Sequence, residues 1–490
     1  MRVVLGVDIG TSSSKGVLVA LDGRVVASAV REHDVSRPAP GQVEMDAALW
    51  WEEFVSLSQE LTPGHEVVAV GVSGMGPCVL MTDEAGVPLR PAILYGVDTR
   101  ATAQIDRLTA ELGAEEIVAR CGSALSTQAV GPKLAWLADH EPDLWSRARR
   151  VFMPASWLAW NLTGAYVLDH HSASQSTPLY DTVDLDWHAE WAAHLAPGIE
   201  LPRLAWPAEA AGTVTTHAAS VTGLPAGIPV IIGTIDAWTE ALSVDGHRPG
   251  DLMLMYGTTM FLVNTVDRRV SAPGLWGTVG AVEGTYNLAG GMATSGAITG
   301  WLRGLFGDPG YPELLAEARA SGPGARGLLM LPYLAGERTP IADPDARGVI
   351  AGLTVEHTRG DLYRAALEAT ALGVRHNVDA IRAAGGEITR IVAVGGGTQG
   401  GLWTQVVSDV TGLTQELRSV TIGASYGAAF LAASLVEPVT MTDWNPIAET
   451  IEPDRSLAAE YDDLYALYLS LYPATREVQH VLAARGRAGR

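Results

Sequence analysis

The sequence predicts an α/β protein in two related halves, and three observations predict it. The chain is 490 residues long, more than one ordinary domain holds. Its first half opens with a strand, a small-polar turn and a second strand, Val3 to Leu21, and the second half opens the same way at Asp251 to Val263. Two strand-like runs, Val3 to Asp8 and Pro229 to Asp236, end in an acid, where open α/β sheets place functional residues. His247-Arg248-Pro249-Gly250 reads as the junction, so domains are expected at 1–245 and 246–490.

Composition narrows the partners. Hydrophobic residues make up 47% of the chain and allow large cores, while a net charge of −22 argues against nucleic acid and anionic membrane surfaces. A phosphate site in so acidic a chain must rely on backbone amides, a few cations and a metal ion. Cys78 and Cys121 are the two cysteines. They form neither a zinc pattern nor a disulfide framework, and they fit a reducing cytosol. No signal-peptide h-region and no run of ~20 apolar residues is present, so a cytoplasmic location with no membrane partner is expected.

The elements follow in order. The run Val3 to Ile9 reaches Asp8, then Gly10-Thr11-Ser12 turns into a second strand, and Asp22-Gly23 marks a hairpin into Val25 to Val30. The first turn offers backbone N–H groups and hydroxyls that suit phosphate oxygens, and Asp8 at its mouth suits a hydrated Mg²⁺. It is neither a Walker A loop nor a dinucleotide fingerprint. Taken alone it is equally a plain hairpin turn, but the repeat at Gly257-Thr258-Thr259 favours phosphate. Ala47 to Gln59 reads as a helix capped by Asp46, and Val67 to Val72 as a buried strand leading to the loop Ser73 to Cys78. Ile93 to Arg100 ends a strand with Tyr95, Asp98 and Arg100 close together, before a helix over Ala101 to Leu112. Lys133 to Leu162 is helical in pattern, its tryptophans read as core.

Asp169-His170-His171-Ser172 reads as a substrate loop; adjacent histidines without a third spaced ligand make no metal site. Asp236 stands where a strand hands over to the helix Ala237 to Ser243, a catalytic position or simply an N-cap. Gly290 to Leu302 starts a helix with Gly296 and Gly300, Leu328 to Gly336 is apolar, and Gly360 to Ala384 is a long helix. Ile391 to Thr398 is a strand ending in Gly395-Gly396-Gly397, whose bare backbone admits a flat ligand or phosphate. Leu402 to Asp409 is the helix behind it, and Arg485 to Arg490 reads as a frayed, solvated end.

These residues resemble the FGGY carbohydrate kinases, of the actin/hexokinase ATPase superfamily. Asp8-Ile9-Gly10-Thr11-Ser12 is similar to the family's first phosphate motif, and Pro40-Gly41-Gln42-Val43-Glu44-Met45-Asp46 with Trp50-Trp51 to its early segment. Gly348 to Leu353 followed by Asp361 to Glu368 fits its C-terminal signature, and Gly395-Gly396-Gly397 with Trp403, Gln405 and Asp409 resembles its adenosine segment. The signature around Lys133-Leu134-Ala135-Trp136 fits less closely, with Val130 where a small polar residue or Pro is usual.

The resemblance implies two RNase H-like (actin-like ATPase) domains with an interdomain cleft, MgATP as donor and a sugar or polyol hydroxyl as acceptor. It implies Asp236 as catalytic base and Asp8 as the Mg²⁺-associated, second catalytic acid. It implies ATP contacts from Gly10, Thr11, Ser12, Lys15, Gly257, Thr258, Thr259, Gly300, Gly396, Gly397 and Gln405. Met75, Gly76, Tyr95, Asp98, Arg100, Asp169 and Asp236 are the expected acceptor residues. A ketopentose such as D-xylulose is the first expected acceptor; gluconate, ribulose, erythritol and other polyols are the alternatives. Xylulokinases, the branch the chain most resembles, usually carry Met-His at Met75-Gly76 and Asp-Asn at Asp236-Ala237. Their Trp-Asn-Asp-x-Arg segment is one residue longer here, Tyr95 to Arg100. A non-catalytic sugar sensor of the same fold is expected to lose Asp8 or Asp236, and both are present. A homodimer is the assembly the family suggests.

Overall fold

The computed structural model describes residues 1–272 and 274–488. They form two compact units, each an α/β body. The first comprises Met1–His247 with two returning segments, Asp267–Asn287 and Val420–Pro446; the second comprises Arg248–Val266, Leu288–Ser419 and the chain from Ile447 onward.

In the first unit β1 (Arg2–Ile9), β2 (Ser13–Ala20) and β3 (Val25–Glu32) form an antiparallel meander. After α1 (Ala47–Leu61), β4 (Glu66–Gly74) lies parallel to β1 on its other side, and β5 (Pro229–Ile231) lies parallel to β4. The short β6 (Thr234–Ile235) pairs with the end of β4 and passes directly into α2 (Asp236–Ser243). Val3, Val4, Leu5, Val7 and Ile9 are fully buried, the continuous apolar run of a strand covered on both faces. Asp46 caps α1 by accepting from Ala48 N–H at 2.9 Å.

The second unit repeats the order. β7 (Asp251–Tyr256) and β8 (Met260–Val266) are antiparallel, and β9 (Tyr286–Met292) lies beside β8. After α3 (Gly296–Leu305) and the long α4 (Arg359–Ala383), β10 (Arg390–Val394) runs parallel to β7; after α5 (Leu402–Thr411), β11 (Gln415–Arg418) runs parallel to β10. A hairpin meander followed by parallel crossover strands is the RNase H-like arrangement, present in both units.

In the first unit's returning segment, α6 (Ala424–Ser434) packs on β1 and β4, its backbone meeting theirs at two glycines. A Cβ on Gly6 would stand 2.7 Å from Ala429 N, and one on Gly71 3.0 Å from the same atom. Glycine at both positions permits this backbone-to-backbone approach.

Two expectations change. Lys133 to Leu162, helical in pattern, holds three helices, Val130–His140, Pro142–Arg147 and Pro154–Thr163, and also a strand at Arg150–Phe152 that the pattern did not show. Pro142 and Pro154 each sit in a first turn, where a missing N–H costs nothing, and neither fits mid-helix. The basic end expected to fray continues a helix, Ala458–Ala488, while Gly489 and Arg490 lie outside the described residues. Cys78 and Cys121 are buried free thiols. Among the described residues no helix is long and apolar enough to cross a membrane.

Candidate functional site

Three strand ends of the first unit converge. Asp8 and Ser73 face each other in the register of β1 and β4, and Ser73 faces Thr234 of β6, two residues before Asp236. The Ser73 and Thr239 hydroxyls are 2.6 Å apart. Thr239 Oγ1 donates to Asp236 O at 2.9 Å, and Asp236 Oδ1 accepts from Ala237 N–H at 2.7 Å. Glu240, one helical turn beyond Asp236, completes a group of three acids. The carboxyls of Asp8 and Asp236 are raised above the usual carboxylate range, first by burial. Asp8 is raised further by the charges of Asp236 and Glu240, while Ser73 and Lys15 pull it down. Burial and Asp236 lift Glu240 to about 7. Asp8 Oδ1 is buried and makes no hydrogen bond, an acceptor held ready for a cation. Among the described residues no group of three or more His, Cys, Asp or Glu side chains is arranged to hold a metal ion.

The turn between β1 and β2 is closed by Gly10 N–H donating to Ser13 O at 3.0 Å. Thr11 reaches toward the acceptor residues: its hydroxyl is 2.9 Å from the Tyr95 hydroxyl and 3.7 Å from Met75 Sδ. Lys15 Nζ donates to Ile422 O at 3.1 Å. Ser12 is exposed. Gly76 packs against β6, where a Cβ would stand 2.7 Å from Ile235 Cγ1.

Asp98 and Arg100 are committed to each other. The Arg100 guanidinium pairs with Asp98 at 2.7 Å and Glu44 at 2.7 Å, and stacks on Trp136. Asp98 Oδ2 also accepts from Val43 N–H at 2.6 Å, and Glu44 pairs in turn with Arg90. Both side chains are almost fully buried. Together they brace the loop that carries Tyr95, whose carbonyl accepts from Asp98 N–H at 3.0 Å. Asp169 is likewise engaged: it caps the helix His170–Ser174 and accepts from Thr234 Oγ1 at 2.7 Å, steadying the strand that carries Asp236. His171 is a buried neutral ring, its Nδ1–H donating to Val279 O at 2.6 Å.

In the second unit the Gly257–Thr259 turn is stitched to the start of α3. Ser295 and Ala297 N–H each donate to Thr258 O at 3.1 Å, and Gly296 N–H to Gly257 O at 2.9 Å. Gly300 lies exposed on α3 with open space where a side chain would stand. Gly396 is similarly open, whereas Gly397 packs on the Trp403 ring, 2.7 Å from a built Cβ. The Gln405 amide is used locally, donating to Asp409 Oδ1 at 2.8 Å and Glu452 O at 2.9 Å.

Sequence reasoning passed over Ser73, Thr239 and Glu240. Glu240 had a signal, four residues after Asp236 on a helix and so on the same face. It also passed over Lys133 as a charge: the ammonium is buried without a hydrogen bond, and burial lowers it to about 8.

Comparison with known proteins gives a consistent picture. Residues 3–243 match the N-terminal domain of the FGGY family of carbohydrate kinases, and residues 252–436 its C-terminal domain. A solved structure of xylulose kinase from Rhodospirillum rubrum superposes with a TM-score of 0.92 at 33% identity, covering 98% of this chain and 100% of that one. A xylulose kinase of Staphylococcus epidermidis is 29% identical over 97% of this chain and 98% of its own. A glycerol kinase of Nocardia farcinica is 34% identical over 90% of this chain and 92% of its own.

Proposed function

The chain belongs to the FGGY family of carbohydrate kinases, and from that premise we propose that it transfers the γ-phosphate of ATP to a hydroxyl of a small open-chain sugar, D-xylulose first. The observation that carries this reading is the convergence of Asp8 and Asp236 at adjoining strand ends beside the Gly10–Ser12 turn.

Phosphoryl transfer asks the protein for positioning and charge stabilisation more than for covalent chemistry. Asp236 orients the acceptor hydroxyl and takes its proton as the new O–P bond forms. Its raised affinity for protons makes it a better base than an exposed aspartate. Mg²⁺ bound with ATP supplies charge neutralisation at the phosphate oxygens, and the unbonded Oδ1 of Asp8 is the chain's group for it. Amides and hydroxyls of Thr11 and Ser12, with Lys15, hydrogen-bond phosphate oxygens, and Gly10 closes the turn that presents them. Within the second unit, Thr258 and Thr259 are the proposed phosphate donors on the turn begun by Gly257, the open side of Gly300 on α3 leaves room for the nucleotide, and the bare backbone of Gly396 and Gly397 is the proposed adenosine surface. Gln405 acts there as a brace. Met75, Gly76 and Tyr95 contact the acceptor, and Asp98, Arg100 and Asp169 hold those contacts in place.

The acceptor has a second reading. Gly76, Ala237 and the longer Tyr95–Arg100 segment depart from the xylulokinase pattern, and the 34% identical relative is a glycerol kinase. Glycerol, gluconate, ribulose and erythritol therefore belong on the same panel. The test is ADP release with MgATP across ketoses, aldonates and polyols, with Asp236→Asn as control. Asp236-dependent turnover on one acceptor names the substrate; ATP binding without turnover on any acceptor overturns the reading. A cytoplasmic homodimer completes the proposal, checked by light scattering and fractionation.

A further inference from the structure

We infer that His33 and Glu53 are positioning residues for the phosphate turn, an inference that rests on the kinase reading above. His33 follows β3, and its backbone N–H donates to Ser12 O at 3.0 Å, carrying the sheet ladder into the turn. Its ring lies against the same turn, with Nε2 3.1 Å from Gly10 O. Nδ1 is 3.0 and 3.2 Å from the two carboxylate oxygens of Glu53, in the middle of α1. The two side chains are 4% and 10% exposed, so the contact is enclosed and poorly screened by solvent.

Both ring nitrogens face acceptors, one a carbonyl and the other a carboxylate. A carbonyl oxygen only accepts, so Nε2–H donates to Gly10 O, and the Glu53 carboxyl group on Nδ1 fixes the ring's orientation. The ring therefore gives Gly10 O a donor whose direction is set by its contact with helix α1.

The consequence is geometric. Gly10 C=O and Thr11 N–H belong to one planar trans peptide and point in opposite directions. Holding the carbonyl toward His33 aims the Thr11 N–H away from it, on the side where phosphate oxygens are proposed to bind. The Ser12 carbonyl, held by the His33 N–H, fixes the Ser13 amide in the same way. Helix α1, which carries no proposed ligand contact, thus orients the turn through one ring. Nothing in the sequence spacing of His33 and Glu53 announces the pair, because strand and helix meet only in the fold.

The experiment is steady-state kinetics of wild type, His33→Phe, Glu53→Gln and the double variant, varying ATP and acceptor separately. His33→Phe keeps ring volume and removes both nitrogens. It is expected to raise KM for ATP about fivefold, the size of one hydrogen bond, with acceptor KM within about twofold of wild type. Glu53→Gln, which keeps a hydrogen-bonding partner for Nδ1, is expected to raise it less, and the double variant no more than His33→Phe alone. Unchanged KM for ATP in His33→Phe and Glu53→Gln, with active wild type, overturns this inference only. An equal rise in both substrates' KM also overturns it, since that is general loosening. If His33→Phe does not fold, Glu53→Gln alone decides on the same readout. Wild type inactive on every acceptor overturns the kinase reading and this inference with it.

Discussion

Asp8 and Ser73 stand opposite each other in the last rungs of two parallel strands, and the Ser73 hydroxyl lies 2.6 Å from that of Thr239 on the helix begun by Asp236. One buried hydroxyl pair therefore joins the proposed metal-associated acid to the helix of the proposed base. Ser73 also lowers the proton affinity of Asp8 against burial and two neighbouring acids. Ser73→Ala removes this support while leaving Asp8 and Asp236 in place. Losing one neutral hydrogen bond of about 1 kcal/mol predicts a roughly fivefold rise in the Mg²⁺ concentration for half-maximal rate. Titrating Mg²⁺ at saturating ATP checks it; an unmoved midpoint removes Ser73 from the role.

Asp236→Asn preserves shape and removes the base. Turnover should fall at least about a thousandfold, within the range that positioned general bases contribute, while ATP affinity by calorimetry stays near wild type. Retained turnover would take Asp236 out of catalysis.

The same variant tests stability. Asp8, Asp236 and Glu240 hold protons more tightly folded than unfolded. Their contribution is therefore complete below the unfolded values near 4 and is lost as pH rises through the raised folded values. At pH 8 without nucleotide, adjacent charges oppose folding. Asp236→Asn should melt above wild type there, with the gap closing as pH falls toward 5. A melting point below wild type at pH 8 would contradict the electrostatic account.

The acid limb of kcat/KM carries the catalytic counterpart. The working form of Asp236 is the carboxylate, so activity is lost as pH falls through its raised value. The limb should lie clearly above pH ~4, the value of an exposed aspartate. A limb at that ordinary value would show that Asp236 titrates as though solvated.

How far the sequence revealed this arrangement depended on whether a role is written in local order. Asp8 and Asp236 were legible because an acid closing a buried strand is a one-dimensional signal, and the repeated Gly-Thr turn showed two related halves. The commitments of Asp98, Arg100 and Gln405 were legible only in part, since Asp98–Arg100 and Gln405–Asp409 are near in sequence and the rest is not. Their partners Glu44, Trp136 and Glu452 lie far along the chain, and residue type alone does not tell where a side chain's hydrogen bonds go. Asp169 reads as an acceptor residue in sequence, and its roles as a helix cap and a strand tie, both through Oδ1, had no local signal. Gly6 and Gly71 showed no motif at all; their reason is the helix that packs on them.

Tyr95 is the residue at which acceptor side and phosphate turn meet within one unit, hydroxyl to hydroxyl with Thr11 at 2.9 Å. Tyr95→Phe removes that oxygen and keeps the ring, which the Asp98–Arg100 brace still holds. A lost neutral hydrogen bond of about 1 kcal/mol predicts a roughly fivefold fall in kcat/KM for the acceptor. Thr11→Val removes the other partner and should give a fall in the same parameter. The double variant should be less impaired than the product of the singles, because both remove one shared contact. Losses that multiply fully would show the two hydroxyls acting on separate ligands, with the contact between them incidental to turnover.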